Sequence, residues 1–138
     1  MQCQNYIILN EKTRNVNYGR DHNCDKPGST KTKTKTKITG KSNQWYRFQA
    51  PAGTKMPDSA PNGYNGQKCG AYVTGWLVGG HPTKAGQTVS RRVFFSAGGH
   101  KNYGNWARNV KVTHCGSFFV YALPSVAGCT ARYCATNY

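Results

Sequence analysis

Apolar residues along this chain recur in short alternations, not in helical stripes. In Trp45-Tyr46-Arg47-Phe48, Trp45 and Arg47 would face one side of a strand and Tyr46 and Phe48 the other. Val110 and Val112 flank Lys111 in the same way. A two-residue period is the mark of a half-buried strand. Residues 6–9, 72–77, 88–95 and 118–123 are rich in β-branched and aromatic residues, which pack well on a pleated surface. No window holds a 3.6-residue apolar stripe longer than two turns. Sixteen glycines and six prolines interrupt the segments and predict many turns. The fold is therefore expected to be mainly β, with short helical turns at most.

At 138 residues the chain is expected to form one domain, spanning 1–138. Only 37% of it is hydrophobic, so the core is small and cross-links would help to stabilise it. Six cysteines with no Cys-x-x-Cys spacing read as a disulfide framework, not as a metal site or redox pair. That composition predicts a secreted, extracellular protein. No run approaches the roughly 20 apolar residues of a membrane span. Met1-Gln2-Cys3 leads straight into the first strand-like segment, which reads as a mature form with an added initiator Met. No Asn-x-Ser/Thr acceptor occurs, so N-glycosylation is not expected.

Charge narrows the chemistry. The net charge is +15, and the four acids, Glu11, Asp21, Asp25 and Asp58, all precede residue 59. A two-carboxylate glycosidase would have to draw its pair from these four, each in a turn-like context. A carboxylate-rich calcium cage is disfavoured for the same reason, while a site of backbone carbonyls stays open. His22, His81, His100 and His114 lack metal-ligand spacing. Ser90, His114 and Asp58 could be drawn as a triad, yet no Gly-x-Ser-x-Gly supports it. No catalysis, cofactor or metal is expected. The Lys/Thr-rich stretch at 29–41 alternates Lys31, Lys33, Lys35 and Lys37, which would share one face if extended. It reads either as a cationic grip for anionic partners or as a solvated loop whose lysines discourage edge pairing.

An ordered series of motifs runs from Cys3-Gln-Asn-Tyr-Ile-Ile-Leu-Asn10 through Asn17-Tyr-Gly, Cys24-Asp, Trp45-Tyr-Arg-Phe and Gly53-Thr-Lys-Met. It continues with Cys69-Gly, Trp76-Leu, His81-Pro, Val89-Ser-Arg-Arg, Val110-Lys-Val, Cys115, Phe119-Val-Tyr-Ala-Leu, Cys129 and Tyr133-Cys134. In order and spacing this resembles the uromodulin-type cysteine-rich domain that precedes zona pellucida modules. The Lys/Thr stretch stands out as an insertion. The resemblance implies bridges Cys3–Cys115, Cys24–Cys129 and Cys69–Cys134. It also implies that two further bridges of the family are missing whole. Ser59, Phe94 and the segment 101–103 stand where their cysteines would be. One of those bridges would join the segment around Ser59 to that around Asn102, so the two loops are expected to remain neighbours.

Both loops use one vocabulary: Pro61-Asn-Gly-Tyr-Asn-Gly-Gln-Lys68 and Gly98-Gly-His-Lys-Asn-Tyr-Gly-Asn-Trp106. An aromatic face packs on the C–H side of a pyranose, while Asn and His bind its hydroxyls. The competing reading is ordinary turns whose tyrosines cover the place of the missing bridges. Some sea-anemone and coral members of the extended family resemble galactose-binding lectins, which favours the sugar. The candidate ligand-binding residues are Asn62, Tyr64, Asn65, His100, Asn102, Tyr103, Asn105 and Trp106. Trp45 and Trp76 are expected in the core, and His81 is expected to anchor its turn by hydrogen bonding. The function read here is a secreted galactoside-binding lectin of cnidarian type, with glycans as partners and a homodimer implied by agglutination. The alternative is a cationic matrix or defence protein that binds sulfated polysaccharide or anionic surfaces.

Overall fold

A computed structural model describes residues 1–28 and 35–137. Its strands are β1 (Ile7–Leu9), β2 (Trp45–Phe48), β3 (Val73–Val78), β4 (Thr88–Ser96), β5 (Arg108–His114), β6 (Phe119–Ala122) and β7 (Ala131–Tyr133). They form one curled sheet in the order β1-β2-β6-β5-β4-β3-β7. Pairing is antiparallel through the middle and parallel at both edges, β1 on β2 and β7 on β3. Two 3-10 turns, Lys12–Arg14 and Tyr103–Asn105, are the helical elements among the described residues. Each of the six segments expected from the sequence contains a strand. β7 is an addition, because Ala131-Arg132-Tyr133 carries no alternation of its own and is held by pairing to β3.

The alternation sets the core. Tyr46, Tyr121 and Val112 are cross-strand neighbours in one inward row, and all three are fully buried. Leu77 and Val93 pair on the same side farther along. Phe95 meets the Tyr133 ring edge-on at 5.5 Å. Gly75 makes that packing feasible: a Cβ there would lie 2.8 Å from a Phe95 ring carbon and 2.9 Å from the Arg132 carbonyl. Trp76 is buried as expected, and its indole N–H donates to Ser96 Oγ at 2.8 Å.

A buried ion network ties the N-terminal segment to the sheet. Arg14 donates both terminal nitrogens to Asp25 at 2.8 Å, its Nε to Glu11 at 3.0 Å, and Nη1 also to the Tyr133 carbonyl at 3.0 Å. Asp25 further accepts from the Tyr133 amide at 2.8 Å and the Thr36 hydroxyl at 2.7 Å. Arg132 lies 3.7 Å from Glu11. Burial alone would raise the Asp25 pKa, but the Arg14 guanidinium and its hydrogen bonds outweigh it and hold the carboxyl below its ordinary range. Two of the four acids are thus occupied by internal cations.

The bridges are Cys3–Cys115, Cys24–Cys129 and Cys69–Cys134, the pairing implied by the resemblance. Lys31 and Lys33 lie outside the described residues. Lys35 is exposed, as a solvated loop requires. That reading stops at Thr36, whose hydroxyl serves Asp25, and at Ile38, which is 1% exposed in the core. Lys37 donates to the Ile8 carbonyl at 3.2 Å and to Asn10 Oδ1 at 3.1 Å.

His81 anchors its turn on Tyr121, with Nε2 and the hydroxyl oxygen 2.7 Å apart. That hydroxyl already accepts from the Met56 amide, so its one proton goes to a neutral His81. Burial, with Lys55 and Arg91 nearby, pushes the His81 pKa down to about 4. The unfolded chain therefore takes up a proton near the ordinary histidine value that the native state refuses. Stability is complete above pH ~6.5 and falls as the pH drops toward about 4. Melting temperatures measured across this window should decline in the wild type. His81→Asn should flatten that decline, and an unchanged slope would exclude His81 as its source.

Candidate functional site

The loops at 59–67 and 98–106 meet through their backbones. Gly98 and Gly99 form a two-residue turn between Ala97 and His100, with φ of 58° and 84°, the left-handed geometry that tight hairpins demand. The Gly99 amide donates to the Tyr64 carbonyl at 2.8 Å, and the Gly98 amide to the Asn65 carbonyl at 3.3 Å. The first loop is folded by left-handed Asn62 and Gly63, and Asn62 Nδ2 donates to the Gly66 carbonyl at 3.0 Å. Gly66 is buried, and a Cβ there would run into the carbonyls of Tyr72 and Ser96. Loops expected to be neighbours are neighbours, now held by hydrogen bonds. Phe94 packs edge-on against Trp76 at 5.8 Å and lies 5.5 Å beneath the Lys101 ammonium.

An aromatic string runs along the second loop. Tyr103 meets Trp106 at 5.1 Å, Tyr72 at 6.4 Å and His100 at 6.2 Å, each edge-on. Trp106 is half-buried between Gly104 and Gly128, where a Cβ on Gly128 would come within 2.8 Å of the indole. Tyr103 and Trp106 also pack against the core.

The eight candidate residues fall into two groups. Asn62 and Asn102 are engaged within the protein, Asn102 Oδ1 accepting from the Phe95 amide at 3.5 Å. Tyr103 and Trp106 show one edge or face of their rings. Tyr64 (43% exposed), Asn65, His100 and Asn105 are exposed, and their side chains make no hydrogen bond among the described residues. Tyr64 makes no ring contact among them either. The surface thus offers a free phenol, two free carboxamides and an imidazole beside a fixed Tyr-Trp pair.

Sequence reasoning missed Tyr72 and Arg20. Tyr72 reads as a strand residue, yet its half-buried ring joins the aromatic string, with the Arg20 guanidinium 5.2 Å over it. Only the long-range pairing of β3 with β7 brings these parts together. Trp45 is a correction. Expected in the core, it is instead half-buried and lines a cleft of about 700 Å³ between β2, β4, β5 and β6. It alternates with the buried Tyr46, so it belongs to the outer face. Among the described residues no three His, Cys, Asp or Glu side chains cluster as metal ligands.

The chain is 31% identical over 137 residues to the pancreatic secretory granule membrane major glycoprotein GP2 of Rattus norvegicus, covering 96% of this chain and 22% of that protein. It is 33% identical over 134 residues to the GP2 of Canis lupus familiaris, covering 96% of this chain and 23% of that protein. It therefore spans less than a quarter of the length of these relatives. Residues 46–135, most of the disulfide-linked sheet, match the uromodulin-like cysteine-rich domain. Together with the three bridges this settles the kinship: the chain belongs to the uromodulin-like domain family.

Proposed function

We propose that this extracellular-type domain is a secreted carbohydrate-binding protein without catalysis, directed to terminal galactosides. One observation carries the reading. Exposed, unengaged Tyr64, Asn65, His100 and Asn105 sit on two loops joined by backbone hydrogen bonds, next to the half-buried pair Tyr103 and Trp106. Such a surface supplies an aromatic face for the apolar side of a pyranose and donors and acceptors for its hydroxyls. Positive-φ glycines let the sugar approach the backbone closely. Because Asn62 and Asn102 hold the loops in shape, their role is to position the others. Residues 1–138 act as one domain in this reading, with the stretch at 29–41 as an insertion outside the sugar site. Two copies would give the paired sites that agglutination needs.

A glycan array probed at low and high salt tests the proposal. Galactoside-terminated glycans should retain the protein equally at both, since neutral-sugar stacking is little screened. Retention confined to sulfated glycans, and abolished by salt, would contradict it.

A further inference from the structure

We propose that the outer face of the sheet carries a second site, for a sulfated polysaccharide chain, separate from the joined loops. The cleft of about 700 Å³ is the place, and its volume lies in the range of ligand pockets. Register explains why it exists. Trp45 pairs with Ala122, Ala122 with Lys111 and Lys111 with Ser90, so these four form one row across β2, β6, β5 and β4. Cross-strand partners project to the same face. The small Ala122 between Trp45 and Lys111 leaves the hollow. Arg92, paired with Asn109, extends the row of cations, and Lys41 overhangs from the loop before β2.

The cations are unneutralised. Lys41, Arg92 and Lys111 are exposed and take part in no ion pair among the described residues, and none of the residues lining the cleft is an acid. Glu11 and Asp25, which might have screened them, are held in the Arg14 network. A polyanion entering the cleft meets a local field of one sign.

The other lining residues decide which polyanion. Trp45 offers one apolar ring for a pyranose face, and Ser90 and Asn109 offer neutral partners for hydroxyls. Single-stranded nucleic acid requires successive stacking platforms, and this cleft has one. Duplex DNA is read by an element that enters a groove, whereas this surface is concave. A membrane surface favours exposed apolar anchors. Among the described residues the exposed large hydrophobics are Met1, Ile8 and Tyr64, none of which lines the cleft.

The test uses a heparin hexasaccharide, titrated calorimetrically at low and physiological salt. Arg92→Ser with Lys111→Ser should weaken binding about tenfold or more, having removed two charge-assisted contacts. Ala122→Gln, which fills the hollow without changing charge, should do the same. Lys12→Ser with Lys84→Ser removes equal charge from exposed positions outside the cleft and should change binding by less than about twofold. Near-UV circular dichroism confirms folding, and lactose binding through the loops stays unaltered in all variants. The proposal is overturned if the control pair weakens heparin binding as much as the cleft pair. It is equally overturned if Ala122→Gln, folded, binds as wild type, or if duplex DNA of matched charge displaces the hexasaccharide as well as heparin does. Should Ala122→Gln fail to fold, the comparison of the two charge pairs decides.

Discussion

Replacing Asp25 with Asn should destabilise the protein by about 3–5 kcal/mol, the cost of leaving a buried charge without its partner. The substitution keeps the side chain's shape, so packing is unchanged. It removes the charge that faces Arg14, which is fully buried. It also replaces an acceptor of four hydrogen bonds, two from Arg14 and one each from Thr36 and the Tyr133 amide. Urea unfolding of the oxidised protein measures the loss directly. Adding Arg14→Met to Asp25→Asn should recover part of it, because the stranded guanidinium is then gone. A cost below about 1 kcal/mol for Asp25→Asn would mean that water reaches the pair. Acid acts on the same link. The Asp25 and Glu11 pKa values are both depressed, so their contribution is present above the ordinary carboxylate range and is lost as the pH falls through the lower native values.

The second large effect concerns the bridges. Cys24 and Cys129 are 105 residues apart in sequence, Cys3 and Cys115 are 112 apart, and Cys69 and Cys134 are 65 apart. Closing loops this long removes much of the freedom of the unfolded chain. Replacing both Cys24 and Cys129 with Ala should therefore cost about 4 kcal/mol. Burial sets the order of reduction. Cys24, Cys69 and Cys134 are buried, whereas Cys3 and Cys115 are both partly exposed. Mild reductant followed by alkylation and peptide mapping should label Cys3 and Cys115 first. First labelling of Cys69 and Cys134 would show that the C-terminal strand opens before the N-terminus detaches.

How far the chain can be read without coordinates depends on the range of each cause. Two-residue alternation is local, so the segments containing β2 and β5 are legible, as are the β-branched runs of β3 and β4. β7 is not, because three residues beside Cys134 become a strand only through pairing with β3. The Arg14–Asp25 pair escapes for a related reason: neither residue lies in a pattern, and both are merely turn-like in sequence. Ile38 is hidden inside a lysine-rich run, where its burial follows from the Thr36–Asp25 contact. Trp45 shows the right alternation but lies on the side opposite to the one expected, since alternation does not say which face meets the core. The proximity of the two Asn/Tyr/Gly loops is legible through the missing family bridge. Which of their side chains are free is not. Asn62 and Asn65 look alike in sequence, yet one caps its own turn and the other faces solvent.

The claim that these joined loops hold the sugar is tested most directly by titrating lactose into wild type and Tyr64→Ala. Tyr64 is exposed, and its side chain makes no hydrogen bond or ring contact among the described residues. Its truncation should leave folding intact, so a change in affinity reports the ligand alone. The account predicts saturable binding by wild type and a loss of about 2 kcal/mol in the variant, the size expected when an aromatic anchor is removed. Wild-type affinity in a folded Tyr64→Ala protein, repeated in His100→Ala and Asn65→Ala, would contradict it.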